Sequence, residues 1–155
     1  MFATIPGESL VVALDLDQFG EVAEKMGWPR YRPNAVTGTV TQFCLELLRK
    51  FFGVHIYGID ERQGTEECML VFPNATIDAL LNDLEVLRAE IEQVGRQTGA
   101  GSTISIGCAI VPPPVDLTPT QSRRTRDVLS DPGRILARKA LKQAKRQGGN
   151  RLVQA

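Results

Sequence analysis

VHIYGIDERQGTEECMLVFP, residues 54–73, sets the centre of the fold. Residues 54–60 alternate apolar with polar and read as one strand, and residues 67–73 read as a second. Gln63-Gly64 between them supplies a hairpin turn. Upstream, SLVVALDLD (residues 9–17) is a Val- and Leu-rich run of the kind that fills a strand buried on both faces. A short helical stretch from Gln18 to Met26 follows it, and then WPRYRPN (residues 28–34), whose prolines make it a loop. Asn34 or Thr37 caps a helix that runs to about Phe52 and is stopped by Gly53. Downstream, Ile77, Leu80, Leu81, Leu84, Leu87, Ile91 and Val94 recur at helical spacing within residues 76–97. STISIGCAIV (residues 102–111) is a β-branched strand. Pro132 opens a last helix to Gln147, and Gly148-Gly149 ends it before a short strand at residues 151–153. A hairpin flanked by strand–helix units predicts an α+β, ferredoxin-like domain, with helices on one face of an antiparallel sheet. Residues 1–155 read as one domain, and the proline-rich stretch 112–131 reads as an irregular excursion.

Composition narrows the function. Lys plus Arg equals Asp plus Glu at 18 each, so no cationic excess draws the chain to DNA or RNA, and stable nucleic-acid binding is not expected. Cys44, Cys68 and Cys108 form no CxxC pair and His55 is the only histidine, which excludes a structural zinc site. The cysteines read as buried free thiols in a reducing compartment. The N-terminus lacks the basic and apolar regions of a signal peptide, and no apolar run reaches the ~18 residues of a membrane span. A cytoplasmic location and no membrane partner are therefore expected.

The chemistry gathers in four carboxylates. Asp15 and Asp17 end the first strand, and alternation sends both to one face with Leu16 to the core. Glu66 and Glu67 sit at the turn of the neighbouring hairpin, so up to four carboxylates meet at one edge of the sheet. Such crowding raises carboxyl pKa values unless a cation intervenes. Mg²⁺ favours oxygen ligands and shares them with substrate phosphates. An acidic hairpin turn with an ordinary DxD strand end, solvated and without metal, is the competing reading.

Longer motifs carry a resemblance. ALDLDQF (residues 13–19) resembles the opening strand of GGDEF-type diguanylate cyclases, and RQGTEECMLVFP (residues 62–73) looks like their signature hairpin. TISIGCA (residues 103–109) is similar to their TxSIGxA strand. Ala137, Ala140, Leu141, Ala144, Lys145, Gly148, Asn150 and Arg151 follow their closing pattern. The resemblance implies a palm-type nucleotidyl-cyclase fold. It implies two Mg²⁺ or Mn²⁺ ions on Asp15, the Leu16 backbone, Glu66 and Glu67, with Asp17 beside them. Glu66, Glu67 and Asp15 are its expected catalytic residues. Lys145 and the amides of Gln18, Phe19 and Gly20 then receive phosphates.

The pattern also departs from the family. Thr65 replaces a glycine, bringing bulk where the family brings backbone close to substrate. Gly149 replaces an arginine, whose phosphate contact passes to Arg146 or Arg151. Ala23 and Glu24 stand where guanine is read, and Trp28 replaces a histidine. The inhibitory RxxD positions hold His55 and Gly58. The short, sensorless chain also looks like the minimal CRISPR polymerases, which implies a cyclic di- or oligonucleotide signal made from nucleoside triphosphates in anti-phage defence. ATP is then the preferred substrate and a homodimer the expected assembly. Two other activities remain open. One is a degenerate cyclase that senses a nucleotide; the other is hydrolytic opening of GTP, as in the archaeal GTP cyclohydrolases of the superfamily. Trp28 and Tyr31 are expected to stack on a base, or Trp28 to pack on the sheet. Arg30 and Arg32 are expected to face solvent or else reach phosphates, Arg123, Arg124 and Arg126 to lie on a solvated loop or else close over a triphosphate or a second subunit, and His55 to have a structural role.

Overall fold

The apolar run at residues 9–16 forms the central strand of a five-stranded sheet in a computed structural model that describes residues 7–120 and 131–155. The elements are β1 (Ser9–Leu16), α1 (Phe19–Met26), α2 (Ala35–Lys50), β2 (Val54–Tyr57), β3 (Glu67–Phe72), α3 (Ile77–Thr98), β4 (Ile104–Val111), α4 (Pro132–Arg146) and β5 (Leu152–Gln154). Their order is the expected one, and the α+β class holds. The sheet runs β2-β3-β1-β4-β5; β5 lies parallel to β4 and every other pair is antiparallel. Arg123, Arg124 and Arg126 lie outside the described residues.

Two details differ from the expectation: the sheet is mixed, and its helices cover both faces. The reason lies in β1, which has no solvent side. Leu10, Val12, Leu14 and Leu16 pack with Leu70, Phe72, Ile104 and Ile106 beneath residues of α2 and α3. Val11, Ala13, Met69, Val71 and Ala109 point the other way, toward Ala137 of α4. Burying both sets removes more apolar surface from water than a one-sided sheet would. Gly107 makes the second layer possible. A Cβ there would stand 2.1 Å from the Leu141 nitrogen and 2.4 Å from the Ala137 oxygen, so α4 lies directly on the backbone of β4.

Local signals fix the ends that frame the site. Asn34 caps α2 by accepting from the Val36 and Thr37 amides, and the Thr37 hydroxyl accepts from the Asn34 amide at 3.0 Å. Asp131 caps α4 by accepting from the Arg134 amide at 3.2 Å. The buried Arg134 side chain donates to the Asp116 and Thr118 carbonyls at 3.1 and 2.7 Å. The Thr120 amide donates to the Ile56 carbonyl at 2.8 Å, so residues 116–120 are tied to both α4 and β2.

Candidate functional site

Asp15 sits near the end of β1, facing Glu67 of β3 on one side and Ser105 of β4 on the other. The Lys145 ammonium lies 3.6 Å from the Asp15 carboxylate. It also donates to the Asp15 and Leu16 carbonyls at 3.2 and 3.1 Å and to the Asp17 carboxylate at 2.8 Å. Burial pushes the Asp15 carboxyl up to about 6; Lys145 opposes the rise and Glu67 adds to it. A carboxyl held this way keeps its proton to higher pH than an ordinary aspartate, and added positive charge would draw it back down.

Asp17 has a different environment. One carboxylate oxygen accepts from Lys145 at 2.8 Å and Ser105 at 2.7 Å; the other accepts from Thr103 at 2.7 Å and the Asn150 amide at 2.8 Å. Burial pushes its carboxyl up, but these four donors outweigh burial and hold it below the usual range. Asp17 is therefore ionised and saturated, and it acts as a structural hub rather than an open ligand. Gly149 follows from the same hub: at φ +74°, a Cβ there would stand 2.8 Å from the Asp17 carboxylate. An arginine at that position would collide with the hub.

Glu66 and Glu67 part company. Adjacent residues at a strand end point to opposite faces, so Glu67 opposes Asp15 while Glu66 turns to a cavity of about 920 Å³ on the other side. Four carboxylates therefore do not converge. Among the described residues, no three histidine, cysteine, aspartate or glutamate side chains form a metal-holding group. The cavity lies between α1, the loop at residues 28–34 and the β2–β3 connection, with Phe19, Gly20, Trp28, Arg30, Asp60 and Glu66 on its walls. Gln18 adopts a left-handed conformation (φ 48°) and its carbonyl accepts from the Glu21 and Val22 amides. The Phe19 and Gly20 amides precede that first helical pair, so they lack intrahelical acceptors at the cavity wall.

The β2–β3 connection is rigidly braced. Asp60 accepts from the Arg62 and Gln63 amides, and the His55 Nε2 accepts from the Ile59 amide at 2.9 Å. Burial lowers the His55 pKa, which keeps the imidazole neutral and supports the structural role expected for it. Thr65 is buried with its hydroxyl 2.7 Å from that of Thr41 on α2, and it accepts from the Asp60 amide at 3.1 Å. Its bulk thus points into the protein and does not narrow the cavity.

Trp28 packs against the core and stacks on Phe19 with ring centroids 6.2 Å apart, and it also lines the cavity. Tyr31, Arg30 and Arg32 are exposed at the cavity mouth. Arg151 donates through its Nε to the Gly149 carbonyl at 3.1 Å. All three cysteines are free and buried. Among the described residues, no helix is long and apolar enough to cross a membrane. Thr103, Ser105 and Asn150 carry more of the site's architecture than motif matching assigned them. Polar residues alternating along an otherwise apolar strand were the available signal for the first two.

The donor chemistry fits a hard divalent cation. At the end of β1, Asp15, Glu67 and the Leu16 carbonyl offer only oxygen, Glu66 offers oxygen on the cavity side, and a cation beside Asp15 would offset the burial that raises its carboxyl.

No protein-family profile and no curated protein matches the sequence. Solved structures do. The active GGEEF domain of a Vibrio cholerae diguanylate cyclase is 17% identical, with 96% of this chain and 83% of that one covered at a TM-score of 0.57. The GGDEF domain of DgcB from Caulobacter crescentus, solved with c-di-GMP, is 20% identical over 95% and 78% of the two chains at a TM-score of 0.54. Diguanylate cyclase SiaD from Pseudomonas aeruginosa, solved with its activator SiaC, is 20% identical over 96% and 50% at 0.53. The chain therefore has the palm-type fold of GGDEF domains.

Proposed function

We propose that this protein is a metal-dependent nucleotidyltransferase that joins nucleoside triphosphates into a cyclic di- or oligonucleotide. The observation that carries this reading is the junction at the end of β1. There Lys145 holds Asp15 opposite Glu67 on one face, while the neighbouring Glu66 and the α1 opening at Phe19 and Gly20 line a nucleotide-sized cavity on the other. Lys145 and the Phe19 and Gly20 amides bind the triphosphate tail. Asp15, Glu67 and the Leu16 carbonyl would hold one Mg²⁺ or Mn²⁺, and Glu66 would hold a second from the cavity side. When bound, such ions polarise phosphoryl oxygens and acidify a coordinated hydroxyl.

A 2′- or 3′-hydroxyl of one nucleotide attacks the α-phosphorus of another. The bond to the β-phosphate breaks, pyrophosphate leaves, and the hydroxyl proton passes to Glu67. A second such step closes the ring, which requires two substrates face to face and hence a pair of protomers. Ala23 on the cavity wall offers no hydrogen bond to guanine, so ATP is the expected substrate; a signal in anti-phage defence is the use that the resemblance to minimal CRISPR polymerases implies. Arg30, Arg32 and Tyr31 at the cavity mouth are placed to meet a second nucleotide rather than only solvent.

Incubation with each of the four triphosphates and Mg²⁺ or Mn²⁺, resolved by liquid chromatography and mass detection, tests this. The expected result is a cyclic phosphodiester plus pyrophosphate, abolished in Glu66→Ala/Glu67→Ala. Undiminished product from that double variant refutes the assignment. Metal-dependent binding without turnover makes the protein a sensor. Loss of purine absorbance without a phosphodiester makes it a ring-opening hydrolase.

A further inference from the structure

Asn150 is left-handed at φ 51° and joins two networks. Its amide donates to Asp17 at 2.8 Å, while its side chain accepts from Arg88 at 2.9 Å and donates to Glu92, both on α3. Glu92 is further held by Arg96 at 2.6 Å and Arg88 by Glu85 at 3.1 Å. The Asn150 amide group is the main influence holding the Glu92 carboxyl below its ordinary range, ahead of the opposing effect of burial. On the other side, Asp17 grips Lys145. A continuous chain thus runs from the outer face of α3 through Asn150 and Asp17 to the ammonium beside Asp15.

We infer that Asn150 is a positioning residue for Lys145, anchored by Glu92 and Arg88, and that α3 thereby sets the affinity of the site for a triphosphate tail. The inference rests on the proposed function for its ligand but on geometry alone for the coupling. Three features separate this role from simple turn formation. Gly148-Gly149 already permits the turn, the Asn150 side chain reaches a different helix, and its amide meets the carboxylate that orients Lys145. A lysine on a four-carbon stem must be fixed by partners if its charge is to meet phosphate without losing rotamer freedom at binding.

The test uses Asn150→Gly, which suits the left-handed backbone, and Glu92→Ala on the helix surface, which remains informative if the first variant fails to fold. Lys145 acylation by acetic anhydride, read by mass spectrometry against Lys50 as an exposed reference, should rise about threefold or more in both variants, as a charge-assisted contact is loosened. In ATP turnover, KM should rise about tenfold with kcat within about twofold, the mark of lost ground-state binding. The double variant should be no worse than Asn150→Gly, because both act through one chain. Unchanged Lys145 labelling in folded variants overturns the inference, as do additive effects. If the wild type turns over no nucleotide, the proposed function fails and the labelling alone still decides the coupling.

Discussion

Replacing Asp17 with asparagine keeps the shape of the hub and removes its charge. The carboxylate accepts four hydrogen bonds, two of them from donors that cannot reverse: the Lys145 ammonium and the Asn150 amide. An asparagine oxygen can serve only one side, so its NH₂ must face Lys145 with Ser105, or the Asn150 amide with Thr103. The side chain is 14% exposed, close to the regime in which removing one partner of a buried pair costs about 3–5 kcal/mol. The retained oxygen keeps part of the network, which brings the expected loss to about 3 kcal/mol. At this chain length that corresponds to roughly 6–12 °C in melting temperature.

Urea unfolding followed by Trp28 fluorescence measures it. The pH dependence supplies a second check. Because the Asp17 carboxyl is held below its ordinary value of 3.8, its contribution is present above that value and fades as pH falls through the folded-state value. The gap between wild type and variant should therefore close in acid. A loss below about 1 kcal/mol, with metal affinity destroyed instead, would refute the reasoning and make Asp17 a ligand.

Three further outcomes follow from the same geometry. Asp15 is raised to about 6, so its stabilising contribution is present below the ordinary carboxyl value and lost as pH rises through 6. Metal-free Asp15→Asn should thus be more stable than wild type at pH 8 by roughly 1 kcal/mol, discounted for partial exposure, and that advantage should shrink through pH 5 and vanish below the ordinary carboxyl value of 3.8 in paired urea titrations. Gly107→Ala should destabilise by about 3 kcal/mol or prevent folding, read by circular dichroism, because the added carbon meets helix backbone. Thr65→Gly should cost about 1–2 kcal/mol in thermal melts, leaving KM for the triphosphate unchanged, since the threonine braces the hairpin and does not face substrate.

How much of this was legible beforehand depended on whether the signal was local. The nine elements among the described residues follow from periodicity and punctuation, and Asn34 announces its own cap through Thr37 three residues on. The second helical layer is not fixed by sequence, even though residues 10–14 are uninterruptedly apolar and residue 107 is a glycine. Apolar runs say that both faces are covered but not by which element. Asp15 and Asp17 are indistinguishable in sequence, being acidic residues at alternating positions. Their roles separate only through partners on β4, α4 and the turn before β5. Thr65 misled for the same reason, because a substitution at a glycine position says nothing about which way the new side chain points.

The central claim, a divalent-cation nucleotide site at the end of β1, is tested most directly by paramagnetic relaxation with Mn²⁺ and a non-hydrolysable ATP analogue on isotope-labelled protein. The account predicts that the amide resonances from Asp15 to Gly20 and at Glu66 and Glu67 broaden first. It also predicts that Glu66→Ala/Glu67→Ala abolishes the effect. Broadening centred elsewhere, or left intact in the double variant, would contradict it.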